Sequence, residues 1–117
     1  LAHYEAVASS APGRRVLDCF TNQGAFALAC ARAGAAKVSA VEASAESIAS
    51  ARQNGERNKL PVDWIEQDVF QFLRAAEKTE AEYDLIILDP PGLRFLLQPF
   101  EHRISAGLGF RAPAGRR

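Results

Sequence analysis

The chain has 117 residues, of which 48% are hydrophobic and 24% are charged, and its 14 basic and 14 acidic side chains cancel. This length fits one domain, and the apolar fraction excludes a disordered or collagen-like chain. No apolar stretch reaches the roughly 20 residues of a membrane helix, and two cysteines are too few for a disulfide scaffold or a four-ligand zinc site, so we expect a cytoplasmic protein without a metal.

Strand and helix patterns alternate along most of the chain. In order, the sequence predicts a helix over residues 1–10, a strand over 15–20, a helix over 25–33, a strand over 37–42, a helix over 44–58, a strand over 62–66, a helix over 69–78 and a strand over 83–89. Gly34 is predicted to stop the second helix, and Ser44 is predicted to be the N-cap of the third. This alternation is typical of βαβ units, in which helices cover both faces of a parallel sheet. The apolar run over residues 85–88 indicates a strand buried in the middle of that sheet. We therefore predict an α/β, Rossmann-like fold.

The regular pattern ends after Gly92. Residues 1–92 carry nine basic and 13 acidic side chains, whereas residues 93–117 carry five arginines and one glutamate. We predict a partial domain over residues 1–92, truncated after its fourth strand, and a basic irregular tail over residues 93–117. An RNA-binding arm is the alternative, but the position of the tail favours a truncated or frame-shifted end. The fourth strand would then keep an open hydrophobic edge, through which we expect self-association.

An acidic side chain stands at or near the end of each predicted strand, namely Asp18, Glu42, Asp68 and Asp89. In open α/β sheets, ligands bind at the carboxyl ends of the strands. Any one of these acids is adequately explained as a solvated loop residue. Four of them at equivalent positions predict a ligand site along this edge.

The spacing of the first two acids favours a nucleoside ligand. Glu42 stands 24 residues after Asp18, where Rossmann-type sheets hold a ribose, and a carboxylate accepts strong hydrogen bonds from both ribose hydroxyls. The turn over residues 20–25 contains one glycine, Gly24, whereas a dinucleotide site requires G-x-G-x-x-G. A smaller zwitterion on a nucleoside fits better, with Asp18 meeting an ammonium and Gly24 admitting close backbone approach. The sequence therefore predicts S-adenosylmethionine and disfavours NAD.

Six segments then resemble a known family in the order in which that family carries them. They are VLDCFTNQGAFA over residues 16–27, AVEAS over 40–44, ARQN over 51–54, NKL over 58–60, DVF over 68–70 and YDLIILDPP over 83–91. Together they resemble class I S-adenosylmethionine-dependent methyltransferases. More narrowly, they are similar to the bacterial ribosomal RNA cytosine-5 methyltransferases that carry a PUA domain. The resemblance covers about residues 10–92.

The resemblance implies a role for each matching residue. The cofactor-binding residues would be Asp18, Phe20, Thr21, Asn22, Gln23, Gly24, Glu42, Ala43, Ser44, Asp68 and Val69. Among them, Asp18 and the turn over residues 21–24 would hold the methionine moiety, Glu42 the ribose, and Asp68 with the Val69 backbone the adenine. Asp89, Pro90 and Pro91 would form the catalytic site where the target base meets the methyl group. The implied partner is ribosomal RNA, and no membrane is implied.

The sequence departs from that family in its last part. Family members use a cysteine thiolate near the C-terminus to activate cytosine by addition at C6, and residues 93–117 contain no cysteine. Cys19 and Cys30 are expected to be buried and unreactive, so we expect the isolated chain to be inactive. Two alternatives stay open, an amino-group methyltransferase acting on guanine or adenine of RNA or DNA, and an inactive cofactor-binding fragment. Gly92 counts against the first, because such enzymes often place an aromatic residue there.

Overall fold

The computed structural model describes Ala6, residues 8–88 and the backbone of three short strands that follow. The strands are β1 (Arg15–Cys19), β2 (Lys37–Glu42), β3 (Asp63–Glu66), β4 (Glu82–Tyr83), β5 (Leu85–Leu88), β6 (Phe95–Leu97), β7 (Arg103–Ser105) and β8 (Phe110–Arg111). The helices are α1 (Ala25–Arg32), α2 (Ala45–Asn58) and α3 (Val69–Lys78). The helix predicted over residues 1–10 lies largely outside the described residues.

The main sheet has the strand order β3-β2-β1-β5-β6, and its first four strands are parallel. Strand β1 lies in the middle, with Asp18 level with Ala40 of β2 and Ile87 of β5. The predicted α/β fold with four parallel strands and flanking helices is therefore confirmed. The four parallel strands end at the same edge, where Asp18 and Glu42 lie at or near the ends of β1 and β2 and Asp68 follows β3.

Alternate side chains of β1 enter two cores on opposite faces of the sheet. Val16 packs in one core, to which α1 contributes Phe26 and Cys30. Leu17 packs in the other core, which α3 closes with Val69. This period of two, with apolar side chains on both faces, is what a central parallel strand requires.

Side-chain caps set where two of the helices begin. The Ser44 hydroxyl accepts from the Ser47 N–H at 3.2 Å, which confirms Ser44 as the predicted N-cap of α2. Asp68 caps α3 in the same way, because its Oδ1 accepts from the Gln71 N–H at 2.9 Å. An N-cap side chain satisfies one of the unpaired donors in the first turn. Both caps lie in the loops at the carboxyl edge of the sheet.

The edge of β5 differs from the sequence prediction. Strand β6 pairs with it in antiparallel orientation, with Phe95 opposite Leu88 and Leu97 opposite Ile86. Strands β7 and β8 join β4 in a second, antiparallel sheet. The prediction of an open edge on the fourth strand is therefore wrong, because a strand of three residues such as β6 is too short to show an alternating pattern in the sequence. The basic irregular tail over residues 93–117 stays a prediction. The domain division at residue 92 and the self-association stay predictions.

The helices within residues 8–88 are short and amphipathic, and none of them has the length and apolar character needed to cross a membrane.

Candidate functional site

Three loops meet at the carboxyl edge of the parallel strands. They are the β1–α1 loop (residues 20–24), the β2–α2 loop (residues 43–44) and the β3–α3 loop (residues 67–68). Backbone hydrogen bonds fasten two of them to β2, since the Thr21 N–H donates to the Val41 carbonyl and the Gln67 N–H to the Glu42 carbonyl, each at 3.0 Å. The predicted cofactor residues that follow β1, β2 and β3 therefore come together along one edge.

The β1–α1 loop has an unusual backbone. Phe20 and Asn22 have φ values of 62° and 54°, in the left-handed region that side chains other than glycine rarely adopt. Gly24 has φ 88°, and its N–H closes the turn by donating to the Thr21 carbonyl at 2.8 Å. A non-glycine residue in this region costs on the order of 1–2 kcal/mol. The surrounding contacts must therefore hold the loop in this conformation.

Asp18 makes one of these contacts from a buried position. Its side chain is 1% exposed, and its Oδ2 accepts from the Thr21 hydroxyl at 2.6 Å. Thr21 itself is 6% exposed. The Asp18 carboxylate thus orients the start of the loop through the Thr21 side chain.

Glu42 joins two of the loops. Its Oε1 accepts from the Asn22 N–H at 2.9 Å, and its Oε2 accepts from the Ser44 N–H at 3.0 Å. Each carboxylate oxygen has two lone pairs, so each can accept one further hydrogen bond. Glu42 is half-buried and held from both sides, which presents two adjacent acceptors in a set orientation. This pair of acceptors fits the two vicinal hydroxyls of a ribose, which would donate to it.

The third acidic residue of this edge, Asp68, stands two residues before an aromatic residue, Phe70. Asp68 is exposed, and Val69 behind it is buried. Phe70 is 59% exposed, and its ring centroid lies 6.0 Å from that of Phe20 at an interplanar angle of 70°. An exposed apolar ring next to a carboxylate suits a planar ligand that carries hydrogen-bond donors. The sequence gives no sign of a site role for Phe70, because spacing does not reveal that a side chain in a helix's first turn stays exposed.

The remaining predicted residues divide between exposed and covered positions. Asn22, Gln23, Ala43 and Ser44 are exposed on the same loops. Gly24 is buried, and a Cβ built on it would come 2.6 Å from the Trp64 ring. The predicted catalytic residues Asp89, Pro90 and Pro91 lie outside the described residues.

The two cysteine thiols of the chain are buried and unreactive. Cys19 and Cys30 are fully buried, as expected from the sequence. Burial raises the pKa of each thiol from 9.0 to about 12, with the negative charge of Asp18 adding to the effect. The thiolate is the nucleophilic form of cysteine. Neither residue can therefore supply a nucleophile near neutral pH.

We expect both thiols to resist a water-soluble disulfide reagent in the folded chain, because access and ionisation are both suppressed. In concentrated guanidinium chloride the same reagent should titrate two thiols per chain. Absorbance of the released thiolate measures both rates at mildly alkaline pH. Native labelling at the rate of a small free thiol would contradict the burial and the raised pKa values.

The comparisons with known proteins agree with this geometry. The profile of the family described as conserved hypothetical protein 95 matches residues 1–100. The chain belongs to this family. Within curated proteins, it is 43% identical over 82 residues to ribosomal RNA large subunit methyltransferase I of Serratia proteamaculans, a match that covers 68% of this chain and 21% of that relative. This member of the conserved hypothetical protein 95 family thus spans about a fifth of the length of the curated relatives that it matches.

Solved structures resemble the chain at the level of the fold. The S-adenosylmethionine-dependent methyltransferase from Agrobacterium tumefaciens is 25% identical with a TM-score of 0.71, over 95% of this chain and 34% of that one. A protein described as a methyltransferase and solved with S-adenosylhomocysteine (SAH) is 28% identical with a TM-score of 0.72, over 83% of this chain and 27% of that one. The resemblance to class I methyltransferases is therefore confirmed for family and fold.

Proposed function

We propose that the chain binds S-adenosylmethionine and forms the cofactor-holding part of an enzyme that methylates large-subunit ribosomal RNA. The observation that carries the proposal is the Glu42 carboxylate, which is fastened between the Asn22 and Ser44 amides at the carboxyl edge of the sheet. The ribosomal RNA large subunit methyltransferase that is 43% identical to the chain and the structural neighbour solved with SAH support it. In open α/β sheets ligands bind at the carboxyl ends of the strands, which supports a ligand role for a carboxylate at this edge.

Each part of the edge suits one part of the cofactor. The second lone pairs of the two Glu42 oxygens would accept from the ribose hydroxyls. Asp68 and the exposed Phe70 ring would face the adenine, one accepting a hydrogen bond and the other offering apolar surface. Residues 21–24 would carry the methionine moiety, with Asp18 acting through Thr21. The bound cofactor would supply an electrophilic methyl group on a positively charged sulfur.

The finer proposal is that the methyl acceptor is C5 of a cytosine. It rests on the resemblance of the ordered motifs through Asp89, Pro90 and Pro91, which would line the place where the base enters. Cytosine C5 reacts only after a thiolate has added at C6. Burial and the pKa of about 12 exclude Cys19 and Cys30 from that role. The chain by itself should therefore hold the cofactor without transferring its methyl group.

Calorimetric titration of the chain with SAH tests the cofactor assignment. We expect saturable binding of SAH and none of NAD, because the β1–α1 loop has a single glycine, Gly24, and cannot bring backbone amides around a pyrophosphate. SAH shares the nucleoside and amino-acid parts of the cofactor. Absence of SAH binding would overturn the proposal, and saturable NAD binding would then point to a dinucleotide site.

Nucleoside analysis of ribosomal RNA tests the acceptor. Large-subunit RNA from source cells that lack the gene should be missing one 5-methylcytidine that is present in cells carrying it, as measured by mass spectrometry. Loss of a methylated exocyclic amine of guanine or adenine would instead identify an amino-group methyltransferase. An unchanged set of modified nucleosides would contradict both reactions.

Turnover of labelled cofactor by the isolated chain would overturn the expectation that it is inactive.

A further inference from the structure

Trp64 is the single tryptophan of the chain, and it lies on β3 at the edge of the sheet. In the strand register it is level with Ala40 of β2, which is level with Asp18 of β1. Trp64 packs in the same core as Ala40. Because alanine is small, the indole extends across β2 towards the loop that follows β1.

The indole fills space that two glycines leave open. A Cβ on Gly24 would lie 2.6 Å from Trp64 Cη2 and 2.8 Å from Cζ3, and a Cβ on Gly55 would lie 3.0 Å from Nε1. Real Cβ atoms essentially never come closer than 3.0 Å to a neighbour. Gly24 is the N-cap of α1, and Gly55 lies in α2. The ring therefore packs against the start of α1 and against α2 on this face of the sheet.

Gly24 belongs to the β1–α1 loop and lies against the Trp64 ring. Its N–H donates to the Thr21 carbonyl at 2.8 Å, and its own carbonyl accepts from the Leu28 N–H at 2.9 Å. Glycine has more backbone freedom than any other residue, so its conformation depends on what surrounds it. Along the chain, the loop residues Thr21 and Asn22 precede Gly24, and α1 follows it directly.

We propose that Trp64 is a positioning residue for the cofactor. By filling the space beside Gly24, its ring fixes the conformation of the β1–α1 loop, and through it the Asn22 amide that holds Glu42. This inference rests on the proposed function, since it names what prepares the same site. Trp64 also lines a groove of about 780 Å³ between α2 and β3. A smaller side chain would let water from that groove reach Gly24, so the loss would concentrate at the loop.

Trp64→Leu is the test, with Ile65→Ala as a matched control. Ile65 is the next residue of β3, is half-buried like Trp64, and packs in the core on the opposite face. Its truncation weakens the fold without touching Gly24. By calorimetry well below the thermal midpoint, we expect Trp64→Leu to weaken SAH binding about tenfold or more, because small displacements of binding groups have large effects. Ile65→Ala should stay within about twofold of the wild type, and Trp64→Phe, which keeps a ring, should recover most of the affinity.

Two further readouts separate positioning from general stability. Amide hydrogen exchange should show that Trp64→Leu lowers protection at Asn22 and Gly24 more than at Ser47 and Gln71, which serve as internal references. In the wild type, SAH should change the emission of Trp64, since the ring contacts the loop that receives the ligand.

Equal SAH affinity and equal exchange patterns for Trp64→Leu and Ile65→Ala would overturn the inference while leaving the proposed function standing. If the wild type fails to bind SAH, the proposed function falls, and the cofactor role of Trp64 falls with it. Selective loss of protection at Gly24 in Trp64→Leu would then still support the contact between ring and loop.

Discussion

Replacing Gly24 with alanine is expected to lower the free energy of unfolding by about 2–5 kcal/mol. Two effects combine at this position. A side chain at φ 88° costs about 1–2 kcal/mol, and the added methyl would meet the Trp64 ring at 2.6 Å, an overpacking that costs about 1–3 kcal/mol. Urea denaturation followed by circular dichroism measures the difference. The added methyl would also lie 3.2 Å from the Ala51 Cβ, so the space beside Gly24 is tight on two sides.

Gly34→Ala is the matched control, because it separates the two effects. Gly34 has φ 99°, but a Cβ built on it meets nothing within 4 Å. Its replacement should therefore show the backbone cost alone, about 1–2 kcal/mol. If Gly24→Ala is no more destabilising than Gly34→Ala, the packing of the indole against Gly24 contributes nothing, and the positioning role of Trp64 loses its basis.

Local pattern was sufficient to predict the parallel sheet. The buried run over residues 85–88, the helix stop at Gly34 and the cap at Ser44 are signals carried by adjacent residues, and each is present in the structure. The strands after residue 92 gave no such signal, because two or three residues do not display a period. The sequence shows Asp68 as an acid after a strand, but its role as the N-cap of α3 depends on a hydrogen bond that only the structure shows.

The contacts that shape the site are distant in sequence, and spacing could not reveal them. The sequence predicts that Gly24 lets a ligand approach the backbone, and in the structure its missing side chain also makes room for Trp64, 40 residues further along. The position of Glu42 at the end of a strand indicates a ligand residue, yet the two amides that orient it come from different loops. A residue type at a strand end predicts which chemistry is available. How that side chain is held depends on tertiary packing.

Glu42→Ala is expected to weaken SAH binding by about 1.5–3 kcal/mol, the scale of hydrogen bonds to a charged group. Both ribose acceptors are lost, and the Asn22 and Ser44 amides lose the carboxylate that joins their loops. Glu42→Gln should be nearly as harmful, because one amide oxygen replaces two acceptors and the new NH₂ group faces a backbone donor. Calorimetry with SAH measures each loss.

Glu66→Ala provides the control for charge. Glu66 ends β3 directly opposite Glu42 in the strand register, is exposed, and carries the same charge at the same edge. Its removal should leave SAH affinity within about 0.5 kcal/mol of the wild type, because exposed charges interact weakly through water. If Glu66→Ala and Glu42→Ala weaken binding equally, the ligand responds to the charge of the edge and not to the Glu42 carboxylate itself.

Stability then distinguishes a binding role for Glu42 from a structural one. Both hydrogen bonds that Glu42 accepts are exposed, so water can replace the carboxylate when the side chain is truncated. We therefore expect Glu42→Ala to lower the free energy of unfolding by no more than about 1 kcal/mol, less than its effect on SAH binding. Gly24→Ala should show the opposite balance, because its clash lies in the core. If Glu42→Ala loses stability but keeps its SAH affinity, Glu42 serves only to hold the two loops together and does not bind the cofactor.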